Sequence, residues 1–356
     1  MTRPIRVALD AMGGDHGLRE TVAGAAQLTL EAQPVHVLLV GDEAQITAAL
    51  GQQRYDAARL QVVHAAGGCV GMAEDARAAL SARPDCSIKV AADLVAAGEA
   101  DALVSAGHTG ATILTAAQTF GRLPGVRRAA LAAVYPTEQK HGPKGDPFAL
   151  MLDVGATVGA SADELLGFAI MGSAYAQIIS DNARPRIALL SNGSEPNKGT
   201  PEIIAAHQLL AACPGLHFHG NVEGLDIPRG TVDVIVCDGF LGNVVLKMLE
   251  GVTEVMTAIA KDAYARSTLS KIALKMLSGD LHQLREMTDW KQYGGAPVLG
   301  FDRVVIKAHG RSNARAIRNA VKVAAKAVDR GLVARIAAGM ATTTAPTPTS
   351  GPAPGA

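Results

Sequence analysis

Short runs of aliphatic and β-branched residues alternate along this chain with longer, Ala-rich stretches whose apolar positions recur at helical spacing. The pattern predicts strands over 5–10 (IRVALD), 35–40 (VHVLLV), 60–63 (LQVV), 101–105 (DALVS), 130–135 (ALAAVY), 148–153 (FALMLD), 186–191 (RIALLS), 232–237 (VDVIVC) and 303–307 (RVVIK). It predicts helices over 19–32, 43–50, 87–98, 109–120, 162–182, 200–212, 240–266 and 312–336. Several strands are apolar on both faces, as in a parallel sheet covered on each side. The expected fold class is therefore α/β: a layered, mostly parallel sheet with helices on both faces. Residues 1–340 read as one α/β unit, two lobes around one cleft, with the polar stretch 136–147 crossing between them and a helical excursion at about 267–290. Residues 341–356 (ATTTAPTPTSGPAPGA) have no apolar period and are expected to be disordered.

Composition narrows the picture. Apolar residues make up 48% of the 356, but aromatics only 3%, so the core must be built from Ala, Val, Leu and Ile. Lys plus Arg and Asp plus Glu are 33 each, a balance that argues against a nucleic-acid surface. No run approaches the ~18 uninterrupted apolar residues of a membrane span. The cysteines (Cys69, Cys86, Cys213, Cys237) form no CxxC and stand at no zinc-finger spacing from histidines. With no apolar signal core in MTRPIRVALDAMGG, the expectation is a reducing cytoplasm and no metal site.

The chemistry is expected at the turns. In open α/β sheets ligands bind beyond the carboxyl ends of strands. Six strands here run into small, polar or Gly-rich turns: 10–17 (DAMGGDHG), 106–110 (AGHTG), 154–157 (VGAT), 192–199 (NGSEPNKG), 238–243 (DGFLGN) and 308–313 (AHGRSN). Glycine lets backbone amides approach an anion, and a helix starting there adds partial positive charge. One such turn alone is more often a packing device; six in one chain, with polar groups at most of them, point to a shared cleft for a phosphate-like anion. Standard fingerprints are absent: no GxGxxG, GxxxxGK[ST], GxSxG or HExxH, and 193–200 (GSEPNKGT) has its Lys and Gly in the wrong order for a P-loop. Cys69 reads as a small hydrophobe more readily than as an acyl-carrying thiol. An enzyme of this kind would transfer a group directly between two bound substrates.

The candidate catalytic residues are Lys198, Asn243, His309 and His16. Lys198 precedes a helix start at Gly199-Thr200-Pro201, and Asn243 and Lys247 share one helix face. A solvated surface lysine and a solvent-facing polar face are the competing readings. The candidate binding residues are Gly13, Gly14, Asp15, Gly107, His108, Thr109, Gly110, Asn192, Asp238, Gly239 and Lys247. Asp10, Asp15 and Asp238 either orient these groups or cap helices.

The segments LDAMGGDHG (9–17), VSAGHTGA (104–111), LDVGA (152–156), LLSNGSEPNKG (189–199), CDGFLGNVVLK (237–247) and YGGAPVLGFDRVVIKAHG (293–310) resemble, in order and spacing, the bacterial phosphate acyltransferase family, PlsX. The resemblance runs from about residue 5 to 330 and departs at His108 and Thr157, where the family most often carries Asn, and at the lysine turn, where only Glu195 of its usual acidic residues remains. It implies a fold similar to the isocitrate/isopropylmalate dehydrogenase group, shared with phosphotransacetylases. It implies a homodimer without organic cofactor or required metal. It also implies transfer of a fatty acyl group from acyl-[acyl carrier protein] to inorganic phosphate, the acyl phosphate then passing to a membrane glycerol-3-phosphate acyltransferase for phosphatidic acid synthesis. Phosphate is already a nucleophile; positioning supplies roughly 7–11 kcal/mol, and each oxyanion donor about 3 kcal/mol. On this reading Lys198 and the 107–110 turn hold phosphate, and Asn243, Lys247 and His309 support them. A short-chain phosphotransacetylase, a decarboxylating dehydrogenase of the same fold group and a non-enzymatic binding module are the alternatives. A peripheral contact with the inner face of the membrane is expected at 267–289, where Leu269, Ile272, Met276, Leu277, Leu281, Leu284 and Met287 recur at helical spacing beside Lys271 and Lys275. The same stripe also suits a dimer interface or the core.

Overall fold

A computed structural model describes residues 3–143, 145–265 and 294–344 of the chain; the excursion expected at 267–290 and the stripe at 267–289 lie outside them. The strands are β1 (Ile5–Asp10), β2 (Val35–Gly41), β3 (Leu60–His64), β4 (Ala102–Ser105), β5 (Ala130–His141), β6 (Asp146–Leu152), β7 (Arg186–Leu190), β8 (His217–Val222), β9 (Val234–Val236), β10 (Ala296–Leu299) and β11 (Val304–Lys307). The helices are α1 (Gly17–Thr29), α2 (Glu43–Leu50), α3 (Ala76–Ala82), α4 (Ser87–Ala96), α5 (Thr109–Thr119), α6 (Ala162–Ile179), α7 (Pro201–Ala212), α8 (Asp226–Arg229), α9 (Gly239–Ala265), α10 (Ala314–Asp329) and α11 (Leu332–Thr344).

All strands join one sheet in the order β3-β2-β1-β4-β11-β10-β5-β6-β9-β7-β8. Pairing is parallel from β3 to β11 and from β6 to β8; β10 and β5 make the antiparallel joins between them. The apolar strands serve two cores. Val7 and Leu9 of β1 and Val234 and Val236 of β9 face the layer under α1, α6, α7, α10 and α11. Ala8 and Ile235, one residue out of phase, face the layer under α4, α5 and α9. Two-sided burial is why these runs show no alternation in the sequence.

The register explains where a cleft can form. Leu131 of β5 pairs with Val298, Leu152 at the end of β6 pairs with Ala132, and Lys307 at the end of β11 pairs with Ala296. The two parallel sets point in opposite directions, yet their carboxyl ends meet at the level of Leu131–Val134 because β5 reaches past β10.

The expected helix over 312–336 is two helices, parted at Gly331, whose φ of 67° is the left-handed stop that favours glycine. α11 runs on to Thr344, into the segment 341–356 expected to be disordered; residues 345–356 are not described.

Candidate functional site

Two pairs of turns build the site. In the first, buried Asp10 ends β1 and accepts hydrogen bonds from the Ser105 hydroxyl (2.6 Å) and the Met12 amide (3.3 Å), while Ser105 Oγ accepts from the Gly107 amide (3.0 Å). A Cβ on Gly13 would stand 2.6 Å from the Gly107 nitrogen, so these two glycines let the turns touch. The Asp15 amide donates to the Gly310 carbonyl (2.8 Å), adding the β11 turn to the group. Burial pushes the Asp10 carboxyl above the usual range, opposed by the bond from Ser105.

In the second pair, Asp153 follows β6 and is fully buried. Its Oδ1 accepts from the amides of Leu131 (2.9 Å), Gly155 (3.1 Å) and Ala156 (3.0 Å), and its Oδ2 from Thr157 (2.7 Å). Burial raises its pKa against these donors. Thr157 Oγ1 accepts from the Gly239 amide (3.1 Å), and Asp238 Oδ1 from Leu241 (2.9 Å) at the start of α9. A Cβ on Gly242 would lie 1.8 Å from the Asp153 carbonyl oxygen, so α9 seats on the turn only because that residue is glycine. Asp238 is thus a helix cap, and Thr157, at a position of departure from the family, secures the α9 start.

Between the pairs lies a cavity of about 430 Å³. Leu131, Ala133, Val134, Val154, Leu246 and Ala296 give it an apolar side; Asp15, Thr109, Asn243, Lys247, Lys307, His309 and Ser312 give it a polar one. Asn243 stands beside Gly155, whose φ is 138°. Lys247 pairs with Glu250 (2.8 Å). His309 Nδ1 accepts from the Arg311 amide (3.1 Å), which assigns the proton of the neutral ring to Nε2, and burial holds its pKa below the usual value.

The structure therefore brings together Asp15, Thr109, Asn243, Lys247 and His309 of the expected residues. Gly13, Gly14, Gly107 and Gly239 lie in the framework of the turns. His108 lines a smaller neighbouring cavity with Asp10 and Cys69, caps α5 by accepting the Ala111 amide on Nδ1 (3.2 Å), and has Gly110 packed against its ring. Burial pushes the Cys69 thiol up, away from a nucleophile's value. His16 is exposed at the start of α1 and does not line the main cavity. Asn192 and Lys198 lie exposed on the loop after β7, also outside that lining; the loop is tied down by Asn221 Nδ2 donating to the Glu195 carbonyl (2.9 Å).

Three contributors went unmarked in the sequence: Asp153, Lys307 and Ser312. Lys307 is 5% exposed, and its Nζ donates to the carbonyls of Ala308 and Ala106, the latter at 3.4 Å. A lysine ending an otherwise wholly apolar strand was the only available signal. Among the described residues, no group of three or more His, Cys, Asp or Glu is gathered as a metal site, and no helix is long and apolar enough to cross a membrane.

Comparison with known proteins identifies the family. The sequence profile of a family described as "fatty acid synthesis protein" matches residues 5–335. The chain is 41% identical over 337 residues to a phosphate acyltransferase of Desulforudis audaxviator, covering 94% of this chain and 96% of that one. It is 43% identical over 333 residues to a phosphate acyltransferase of Heliobacterium modesticaldum, covering 93% and 96%. Among solved structures, a phosphotransacetylase from Streptococcus pyogenes shares the fold, with a TM-score of 0.62 at 17% identity over 91% of this chain and 94% of that one. Matched over nearly its whole described length, the chain belongs to the fatty acid synthesis protein family of phosphate acyltransferases, the PlsX family, and is an acyltransferase.

Proposed function

We propose that the protein transfers a fatty acyl group from acyl-[acyl carrier protein] to inorganic phosphate, releasing acyl phosphate for phosphatidic acid synthesis. The observation that carries this reading is the two-sided cavity: an apolar side suited to the first part of an acyl chain faces a polar side rich in donors. A phosphate oxygen attacks the thioester carbonyl carbon, charge gathers on the carbonyl oxygen, and the C–S bond breaks with its electron pair leaving on sulfur. Asn243 and the Nε2–H of His309 are the side-chain donors for that oxygen, each worth about 3 kcal/mol in the transition state. Lys247 balances charge on the same side. The leaving thiolate, with a pKa near ~8.5, needs no strong acid.

The protein's partners on this reading are acyl carrier protein, inorganic phosphate and a membrane glycerol-3-phosphate acyltransferase. It works in the cytoplasm as a homodimer, with a peripheral contact to the inner face of the membrane. The test is incubation of acyl-[acyl carrier protein] with phosphate, trapping acyl phosphate as the hydroxamate. Acyl phosphate formed from the long-chain carrier-protein thioester, with little from acetyl-CoA, is the expected result. Preference for acetyl-CoA would make the protein a short-chain phosphotransacetylase, and no turnover with either would overturn the reading.

A further inference from the structure

One wall of the cavity holds two polar groups that the fold itself leaves incompletely used. Lys307, at the end of β11, is buried and cationic, and the carbonyls of Ala106 and Ala308 occupy two of the three N–H donors an ammonium carries. Ser312, five residues on and also lining the cavity, is 4% exposed, and its hydroxyl has no hydrogen-bond partner. A buried hydroxyl without a partner is costly to a fold, and such a group in a native site calls for an occupant. The start of α10 is not that occupant's main anchor. Its Ala314 amide donates to Glu20 Oε2 (2.8 Å) and its Ala316 amide to Asn313 Oδ1 (3.0 Å), so these donors are already taken. What remains on offer is a cation shielded from water at the end of β11 and a hydroxyl five residues on, both lining the one cavity, a pair suited to a small oxyanion. Lys247, the other lysine on the cavity, is exposed and paired with Glu250, and is the weaker anchor.

We propose that Lys307 Nζ and Ser312 Oγ bind the inorganic phosphate that attacks the thioester, making the β11–α10 turn the seat of the nucleophile. The proposal rests on the acyl-transfer reading for the word "nucleophile", but not for the binding itself. Hydrogen phosphate held there by two of its oxygens presents another to the carbonyl carbon. The new C–O bond forms as the C–S bond breaks, and the proton that the acyl phosphate then sheds matches the one the thiolate takes up. Asp10 and Asp15 also act on Lys307, and Asp15, which lines the same cavity, opposes the approach of further negative charge.

The test uses the full chain and inorganic phosphate as probe: equilibrium dialysis with labelled phosphate, melting curves without phosphate, and steady-state kinetics. In Ser312→Ala and in Lys307→Met the Kd for phosphate rises about tenfold or more, the loss expected for a charge-assisted contact. The phosphate KM rises in step, while the KM for the acyl thioester stays within about twofold of wild type. Ser312→Ala without phosphate melts no lower than wild type, since the hydroxyl it removes bonds nothing in the fold. Wild-type phosphate affinity in Ser312→Ala, a lower melting point in that variant without phosphate, or a larger loss of phosphate binding in Lys198→Ala than in Ser312→Ala would each overturn the proposal. Should Lys307→Met fail to fold, Ser312→Ala decides. The two readings separate cleanly. Phosphate binding that depends on Lys307 and Ser312 in a protein that forms no acyl phosphate keeps the seat and removes the acyl-transfer function. Acyl phosphate formed with unaltered phosphate affinity in both variants keeps the function and removes the seat.

Discussion

At the scale of single residues, position in the fold decides what a side chain is for. Burial pulls the Lys307 pKa from its ordinary 10.5 down to about 8, with Asp10 and Asp15 resisting and Lys247 assisting. Below pH 8 the ammonium is charged and attracts phosphate; above it the charge is lost. The phosphate KM of the wild type is expected to climb above pH 8, by up to about tenfold per unit, while Lys307→Met gives a profile without that rise. The folded value lies below the unfolded one, so between about 8 and 10.5 the folded chain has released a proton the unfolded chain still holds, and this group adds stability as pH rises. A flat wild-type profile from pH 7 to 9 would remove Lys307 from phosphate binding. His108 makes the opposite case. Its Nδ1 accepts the Ala111 amide as an Asn Oδ1 would, so His108→Asn is expected to keep kcat/KM within about twofold, whereas His108→Ala costs about 1 kcal/mol of stability through the lost cap. A large rate loss in His108→Asn would give the ring a chemical role. His309 was legible in the sequence because a polar residue just after a strand is conspicuous, and Asn243 because it shares a helix face with Lys247. Ser312 was not, and Lys307 showed only as the polar end of an apolar strand, because burial of a cation and absence of a partner are properties of packing.

At the scale of elements, the strands missed in the sequence are those whose local signal is weak. β8 (HFHGNV) is the last strand of the sheet, half polar, with Gly220 at a shift in register against β7. β10 is four residues long with Pro297 in it, and the sheet needs it only as the antiparallel link to β5. α3 announces itself only by Asp75, whose side chain accepts from the Ala78 amide (2.8 Å). Most of the nine predicted runs were readable because their strands are buried on both faces; β3, an edge strand with no buried residue, was readable from its β-branched composition alone. The glycine turns were readable as glycines, but their purpose divides: Gly242 is there for packing, since its missing Cβ makes room for the Asp153 carbonyl. Gly242→Ala should therefore lift α9 off the 153–157 turn, lowering stability by roughly 1–3 kcal/mol or more in urea unfolding and disturbing Asn243 one residue away. Wild-type stability in this variant would mean that the turn yields to α9 at little cost.

At the scale of the whole molecule, one surface stands apart among the described residues. Phe240, Val244, Met248, Val252, Val255, Met256 and Ile259 are all between 48% and 65% exposed, and they recur every three or four residues along α9. The cavity-lining residues Asn243, Leu246, Lys247 and Glu250 occupy the other side of the same helix. One helix thus carries a cavity-lining face and an apolar face, and a contiguous apolar stripe of this length is rare on a monomer. The homodimer proposed above gives it a partner: a second α9, packed so that each stripe covers the other, would also hold both helices firmly against their cavities. Val252→Glu with Met256→Glu introduces facing charges into that contact without touching the cavity or any buried side chain. Light scattering behind size exclusion should show the wild type at twice the chain mass and the double variant at the chain mass, with unchanged circular dichroism. Activity per chain should fall with dissociation, because α9 then loses the support that steadies Asn243 and Lys247. A wild type that runs as a monomer at micromolar concentration, or a double variant that stays dimeric, would assign the stripe to another partner and leave the cavity complete within one chain.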